Sequence, residues 1–468
     1  MSQRRNSYAA LLFLAGLTAS SIYLGLGLVP QNKGFQDAVP SHSTRTFRLK
    51  TPLRDRVKGE DPRLRPQTAP HAIQGSSGLS IPSYQELTGA ALALTQEADP
   101  AINELLDREH TFIELYGGLQ RLMGRQLVED PDPQYTVVKL TDGLLVFADL
   151  ETQQTDMTTR AQEMIQFSQR ISKEYRIPLL YVQAPSKLDV AQLPDGIVDT
   201  ADAEADQFLS ILQENKVPTL DLRPVFRQAA QEDPQEAVSL FFQTDHHWTP
   251  AGAFLGYQRL CDELRSRFRF SIDEELTDPD SFEQYRFEDV FLGSQGRRVG
   301  SLYGGLDDLE IWSPKFSTDF TYTVPIVGIE REGPFVVSLL FPERLADTGY
   351  YDTNPYTIYS GDDYLLSRAL NENNPRGKRI LILRDSFGCA LTPFLALTAQ
   401  EVMAIDPRNF NGNQDTMMDY IDWLEPDLVI VMNSTGSLKV DKLFPYLPTA
   451  RADARAAKAA ERQEEDKK

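Results

Sequence analysis

The chain has 468 residues, with 47 Lys+Arg against 68 Asp+Glu, a formal net charge of −21 and two cysteines. That acidity repels a phosphate backbone and excludes a nucleic-acid readout surface as the main business of the protein. Two cysteines make neither a disulfide scaffold nor a thiolate metal centre, and a body this long buries a full core without such staples.

At the N-terminus, Arg4 and Arg5 precede an uncharged stretch, 6–32, whose centre at 8–29 is almost wholly apolar. A membrane-spanning helix needs about 20 such residues, whereas the apolar part of a signal peptide runs to about 7–15. The length favours an uncleaved anchor at 7–29, with 1–6 in the cytoplasm and the bulk outside it. Residues 30–84 are rich in Pro, Ser, Gln and Arg and read as a linker. Its basic stretch, 45–65, reads equally as a solvated segment or as one resting on anionic headgroups. A helical pattern follows at 86–128, and the charged, Ala-rich tail at 451–468 has no apolar face to bury.

Between these, apolar runs at 144–148, 179–184, 219–222, 379–384, 402–406 and 428–432 have the length and composition of buried strands. Helical patterns at 158–175, 203–215, 250–268, 387–400 and 415–424 alternate with them. That alternation predicts an α/β fold: a parallel sheet covered by helices on both faces, within a domain spanning 85–450. Residues 270–370 break the rhythm with aromatics, Gly and alternating segments such as 320–324, which predicts an irregular or β-rich insertion. Cys261 and Cys389 read as buried thiols, with a bridge between them as the alternative in an oxidising compartment.

Two short sequences carry the chemistry. Thr244-Asp245-His246-His247-Trp248-Thr249-Pro250 sits where a turn enters a helix, and an Asp near a His orients the imidazole and stabilises its protonated form. Arg384-Asp385-Ser386-Phe387-Gly388 follows an apolar strand and opens a helix. A serine there stands at the carboxyl edge of the sheet, with the N–H groups of the helix start at hand for an oxyanion. Alone, each motif reads more simply as a helix cap; together in one α/β domain they point to a catalytic site.

The pairing of Asp-His-His-Trp and Thr-x-x-Gly-Ala (249–253) with a later Arg-Asp-Ser-Phe-Gly resembles the bacterial DHHW protein family. That family is similar to the SGNH-hydrolase-like domains of alginate O-acetylation proteins. The resemblance covers about 135–445. It implies a circularly permuted motif order, with Asp245 orienting, His247 as general base and Ser386 as nucleophile. His246 is the alternative base, on the wider spacing of ordinary SGNH enzymes. It also implies Asn433 as an oxyanion donor. Arg408 stands where those enzymes place a glycine on the preceding loop, and is expected to bind an anion or a sugar hydroxyl. Lys187, in a Pro-x-Lys loop, and Trp248, as a sugar-stacking ring, are expected to line the same cleft. The function implied is O-acetyl transfer to, or acetyl-ester hydrolysis on, an extracellular polysaccharide, with a membrane acyltransferase as natural partner and no cofactor. The alternative is a non-catalytic carbohydrate-binding or assembly protein of the cell envelope.

Overall fold

The computed structural model describes residues 109–148, 154–345, 349–410 and 412–447. The expected anchor at 7–29, the linker at 30–84 and the tail at 451–468 lie outside them. Among the described residues no helix is long and apolar enough to cross a membrane.

Helix α1 (Glu109–Leu122) leads into a small antiparallel sheet of β1 (Leu127–Val128), β2 (Val137–Lys139) and β3 (Leu145–Phe147). Helix α2 (Thr158–Tyr175), β4 (Leu179–Gln183), α3 (Ala201–Glu214), β5 (Thr219–Asp221), α4 (Arg223–Glu232) and α5 (Pro250–Ser266) follow. The insertion supplies a hairpin of β6 (Phe282–Phe291) and β7 (Asp307–Pro314), then β8 (Phe320–Val324), β9 (Ile329–Gly333) and β10 (Ser367–Asn371). Last come β11 (Arg379–Arg384), α6 (Gly388–Ala396), β12 (Glu401–Ile405), α7 (Gln414–Leu424) and β13 (Leu428–Asn433).

The main sheet has eight strands in the order β5-β4-β13-β11-β12-β10-β8-β9. Its first five are parallel. Successive side chains of a strand point to opposite faces, and the strands obey this strictly. Leu180, Val182, Ile380, Ile382, Val402 and Ile430 enter one core with α5 and α6. Leu179, Tyr181, Leu381, Leu383, Met403 and Val431 enter a second core with α2, α3 and α7. The sheet is thus covered on both faces, as the apolar runs require.

Two details differ from the sequence reading. The run at 144–148 joins the small antiparallel sheet, because Gly143, at φ 99°, closes a tight hairpin with β2. The insertion is also more than an appendage: β10, β8 and β9 extend the main sheet antiparallel beyond β12, so the sheet is mixed. Cys261 and Cys389 are both buried and free.

Candidate active site

In a parallel sheet the carboxyl ends of the strands share one edge. Ser386 lies two residues beyond the end of β11 and Asn433 ends β13, with Met432 paired to Arg384. The turn is fixed by Asp385. One carboxylate oxygen accepts from the Phe387 N–H at 3.0 Å, and the other from the Ser434 N–H and the Ser437 hydroxyl, both at 2.7 Å. Gly388 is required because a Cβ there would stand 2.4 Å from the Arg384 side chain. Arg384 runs beneath the turn, fully buried, and donates to Asp363 at 2.5 Å.

The Asp245–His247 loop is brought to this turn from the other side. Thr249 caps α5, accepting from the Gly252 N–H at 3.3 Å, and Pro250 takes the first helical position. The Cβ missing from Gly252 would lie 2.2 Å from the Leu240 carbonyl oxygen, so only glycine lets the helix start this close to the loop. The Trp248 indole N–H donates to the Phe387 carbonyl at 3.0 Å, tying the loop to the serine turn.

The result is a continuous relay. Asp245 accepts from His247 Nδ1 at 2.5 Å, and His247 Nε2 lies 2.7 Å from Ser386 Oγ. A carboxylate only accepts, so Nδ1 carries the proton and Nε2 is left free to take the serine's. Burial by itself raises the Asp245 carboxyl. The imidazoles of His247 and His246, with hydrogen bonds from His247 and the Ser294 N–H, outweigh it and hold the group well below the usual carboxylate range. Asp245 therefore stays ionised. The Ser386 N–H makes no hydrogen bond among the described residues, which leaves it available to an oxyanion.

His246 points elsewhere. Its half-exposed ring lies tilted by 37° against His247 with centroids 3.7 Å apart, and its Nδ1 meets Ser294 Oγ at 2.8 Å. Asp245, His246 and His247 bring potential metal-ligand atoms within 4.8 Å of one another. A cation bound by His247 would take Nδ1 from Asp245 or Nε2 from Ser386, and either breaks the relay.

The remaining residues singled out in the sequence divide. Asn433 is buried at the sheet edge, and its Oδ1 has no hydrogen-bond partner. Arg408 is near the site, but its guanidinium is already engaged by Asp406 and Asp363, both at 2.6 Å. Two expectations fail. Trp248 is fully buried, its indole spent on Phe387, and presents no face to a sugar. Lys187 is buried as well: its ammonium donates to the carbonyls of Leu145 at 2.5 Å and Gln243 at 3.1 Å rather than lining a cleft. Burial lowers its pKa to about 8.

Sequence reasoning missed the supports that the insertion provides. Gly293 and Ser294 close over Asp245: the Gly293 N–H donates to Thr244 Oγ1 and the Ser294 N–H to Asp245, at 2.8 and 2.7 Å. A Cβ on Gly293 would fall 2.1 Å from that of Asp245. Asp307 accepts from the N–H groups of Gln243 and Thr244 and from the Thr244 hydroxyl. Tyr356 stacks on His247 at 3.9 Å and 9°, while its hydroxyl donates to the Ser386 carbonyl at 2.9 Å. The Gly-Ser-Gln-Gly at 293–296 was the one legible signal among them.

A mixed α/β sheet bearing Ser, His and Asp at its carboxyl edge defines an SGNH-hydrolase-like domain. The comparisons agree. The model for the SGNH hydrolase-like domain of acetyltransferase AlgX matches residues 144–280, and the DHHW protein model matches 233–405. The two overlap across the Asp-His-His-Trp motif. Among solved structures, Bacillus cereus PatB1 with a sulfonyl adduct is similar at a TM-score of 0.54 and 22% identity, covering 69% of this chain and 99% of that one. A DHHW family protein from Eubacterium siraeum DSM 15702 is similar at 0.52 and 16%, covering 69% and 98%. At these identities the likeness is one of fold. A search of curated proteins returned no match.

Proposed function

We propose that the protein is an O-acetyltransferase or O-acetylesterase that works through an acyl-serine on an extracytoplasmic polysaccharide. The observation that carries this reading is the unbroken hydrogen-bonded chain from Asp245 through His247 to Ser386. The match to the acetyltransferase AlgX domain model supports the acetyl group. The apolar stretch at 8–29 supports a single-pass anchor with the domain outside the cytoplasm; the resemblance to alginate O-acetylation proteins implies a membrane acyltransferase as the source of acetyl groups.

In the first step Ser386 Oγ attacks the acetyl carbonyl and its proton passes to His247 Nε2. To the developing oxyanion we assign the Ser386 N–H and the Asn433 side-chain amide N–H. Collapse breaks the carbonyl carbon's bond to the departing oxygen, which takes the proton from His247. A sugar hydroxyl or water then gives its proton to His247 and attacks the acyl-serine, so that transfer or hydrolysis returns the free enzyme. Asp245 stays anionic and stabilises the imidazolium in both halves.

The test is acetate release from 4-nitrophenyl acetate by the full-length chain and its variants. Ser386→Ala and His247→Ala should each lose roughly 10⁴-fold in kcat/KM, while His246→Ala loses far less. Full activity in Ser386→Ala would sink the acyl-serine. A greater loss in His246→Ala than in His247→Ala would give the base role to His246 instead.

A further inference from the structure

A cleft of about 770 Å³ opens beside β4, outside the triad and untouched by the mechanism above. Its polar rim is Asp142, Gln192, Arg227, Gln231 and Gln235, over a floor that includes Val190 and Val238. The three glutamine side chains are exposed, and no hydrogen bond engages their amides among the described residues. Each amide offers both donors and an acceptor, the complement of a hydroxyl, which needs one of each. The charge of Arg227 is already matched by Asp189 at 2.7 Å and Asp202 at 2.6 Å. Asp189 itself has no exposed side-chain surface, so that pair is a fixed part of the wall. With its one cation neutralised, in an acidic protein, the cleft does not attract a polyanion.

Its position ties it to the reaction. Asp142 stands at the tip of the β2–β3 hairpin, three residues before Leu145. The Leu145 N–H donates to the Gln243 carbonyl at 2.8 Å, and Lys187 binds the carbonyls of both residues. Gln243 is two residues before Asp245. At about 3.3–3.6 Å per residue, with roughly 5–7 Å for the hydrogen-bonded step, this path puts Asp142 at most about 25 Å from Asp245.

We infer that this cleft is a subsite that holds a neutral, hydroxyl-rich glycan chain while another part of the same chain reaches Ser386. The inference rests on the polysaccharide reading above, and it adds where the chain is gripped and the class of polymer gripped. It makes Gln231 and Gln235 determinants of polymer binding rather than of chemistry.

The experiment is calorimetric titration of the full-length chain with xylohexaose, cellohexaose, chitohexaose and a galacturonic acid hexamer. The wild type is compared with Gln231→Trp, which fills the cleft from an exposed position, and with the double variant Gln231→Ala/Gln235→Ala, which removes only hydrogen bonds. Melting curves show that each variant is folded. At least one neutral hexasaccharide should bind. The double variant should weaken it about tenfold, as expected for two lost hydrogen bonds, and the tryptophan should weaken it further. Binding of no neutral oligomer, binding that both variants leave unaltered, or preference for the acidic hexamer would each overturn the inference. Wild-type turnover of 4-nitrophenyl acetate, measured alongside, separates the two proposals. Turnover without glycan binding removes the subsite alone; glycan binding without turnover removes the acyl-serine reading and leaves the subsite standing.

Discussion

Ser386 and His247 meet at 2.7 Å, yet the two sides of that contact are held by different means. The serine turn grows out of the parallel sheet: β11 and β13 flank it, and Asp385, one residue away in sequence, ties it to Ser434 and Ser437. The histidine loop has no such frame. It is held by Gly293 and Ser294, by Asp307 and by Tyr356, all from the insertion, and by Lys187 from the loop after β4. A nucleophile needs one exposed atom at a fixed point, which a strand end supplies. A base that swings between accepting and returning a proton needs its ring plane and tautomer fixed as well, and that takes contacts from several directions.

The comparison is broken most severely at Gly293. Gly293→Ala would put a methyl group 2.1 Å from the Asp245 Cβ and 2.6 Å from its backbone nitrogen, neither of which belongs to a flexible side-chain end. Asp245 must move, and a displacement of about 1 Å at a catalytic group costs on the order of 10²-fold. The expected result is a fall of that size in kcat, with Ser386 still reacting slowly with a sulfonyl fluoride. Unchanged kcat would mean that the insertion merely covers the loop.

A smaller effect sharpens the same point at Tyr356, which touches both sides. Tyr356→Phe keeps the ring on His247 and removes the hydrogen bond to the Ser386 carbonyl, worth about 1 kcal/mol. Tyr356→Leu also removes the stack, worth about 0.5–1.5 kcal/mol. Losses in kcat of a few-fold for Phe and about tenfold or more for Leu are expected, with KM little changed. Equal losses in the two variants would assign the whole effect to the hydroxyl, and so to the serine turn.

What the sequence disclosed follows the same division. Strands buried on both faces and the helices between them announce themselves by composition and period, so β4, β5, β11, β12 and β13 were legible nearly to the residue. The Asp-x-His and the serine were legible for a related reason: each sits where a regular element begins or ends. The supports were not, because Gly293, Asp307 and Tyr356 act through contacts 30 to 60 or more residues away in the chain, and beyond the Gly-Ser-Gln-Gly around Gly293 nothing local marks them. Trp248 misled for the opposite reason. Standing beside a catalytic motif, it looks like a sugar platform, but a Cβ on Gly256 would fall 2.9 Å from its ring, so the glycine makes room for a buried indole. Gly252 and Gly256, one helical turn apart, were the overlooked sign of that slot.

The smallest predicted effect is on stability, and it concerns the histidine loop alone. Burial pushes the Asp307 carboxyl up to about 6 despite its hydrogen bonds from Gln243 and Thr244 and the nearby ammonium of Lys187. In the unfolded chain the same group titrates near 3.9. Between those values the folded protein binds more protons than the unfolded one, so this residue's contribution to stability falls as pH rises from about 4 to 6 and is level above. The displacement of roughly two pH units corresponds to a cost of about 3 kcal/mol at neutral pH. Asp307→Asn cannot ionise; it keeps one of the two acceptor oxygens and loses the bond from Gln243 or Thr244, a loss that does not vary with pH. Melting temperatures at pH 5 and pH 7 should therefore differ less in the variant than in the wild type. A wild-type pH dependence that survives the substitution unchanged would show that Asp307 is ionised at both values, held so by Lys187. The histidine loop would then rest on a buried ion pair instead of a costly lone carboxylate.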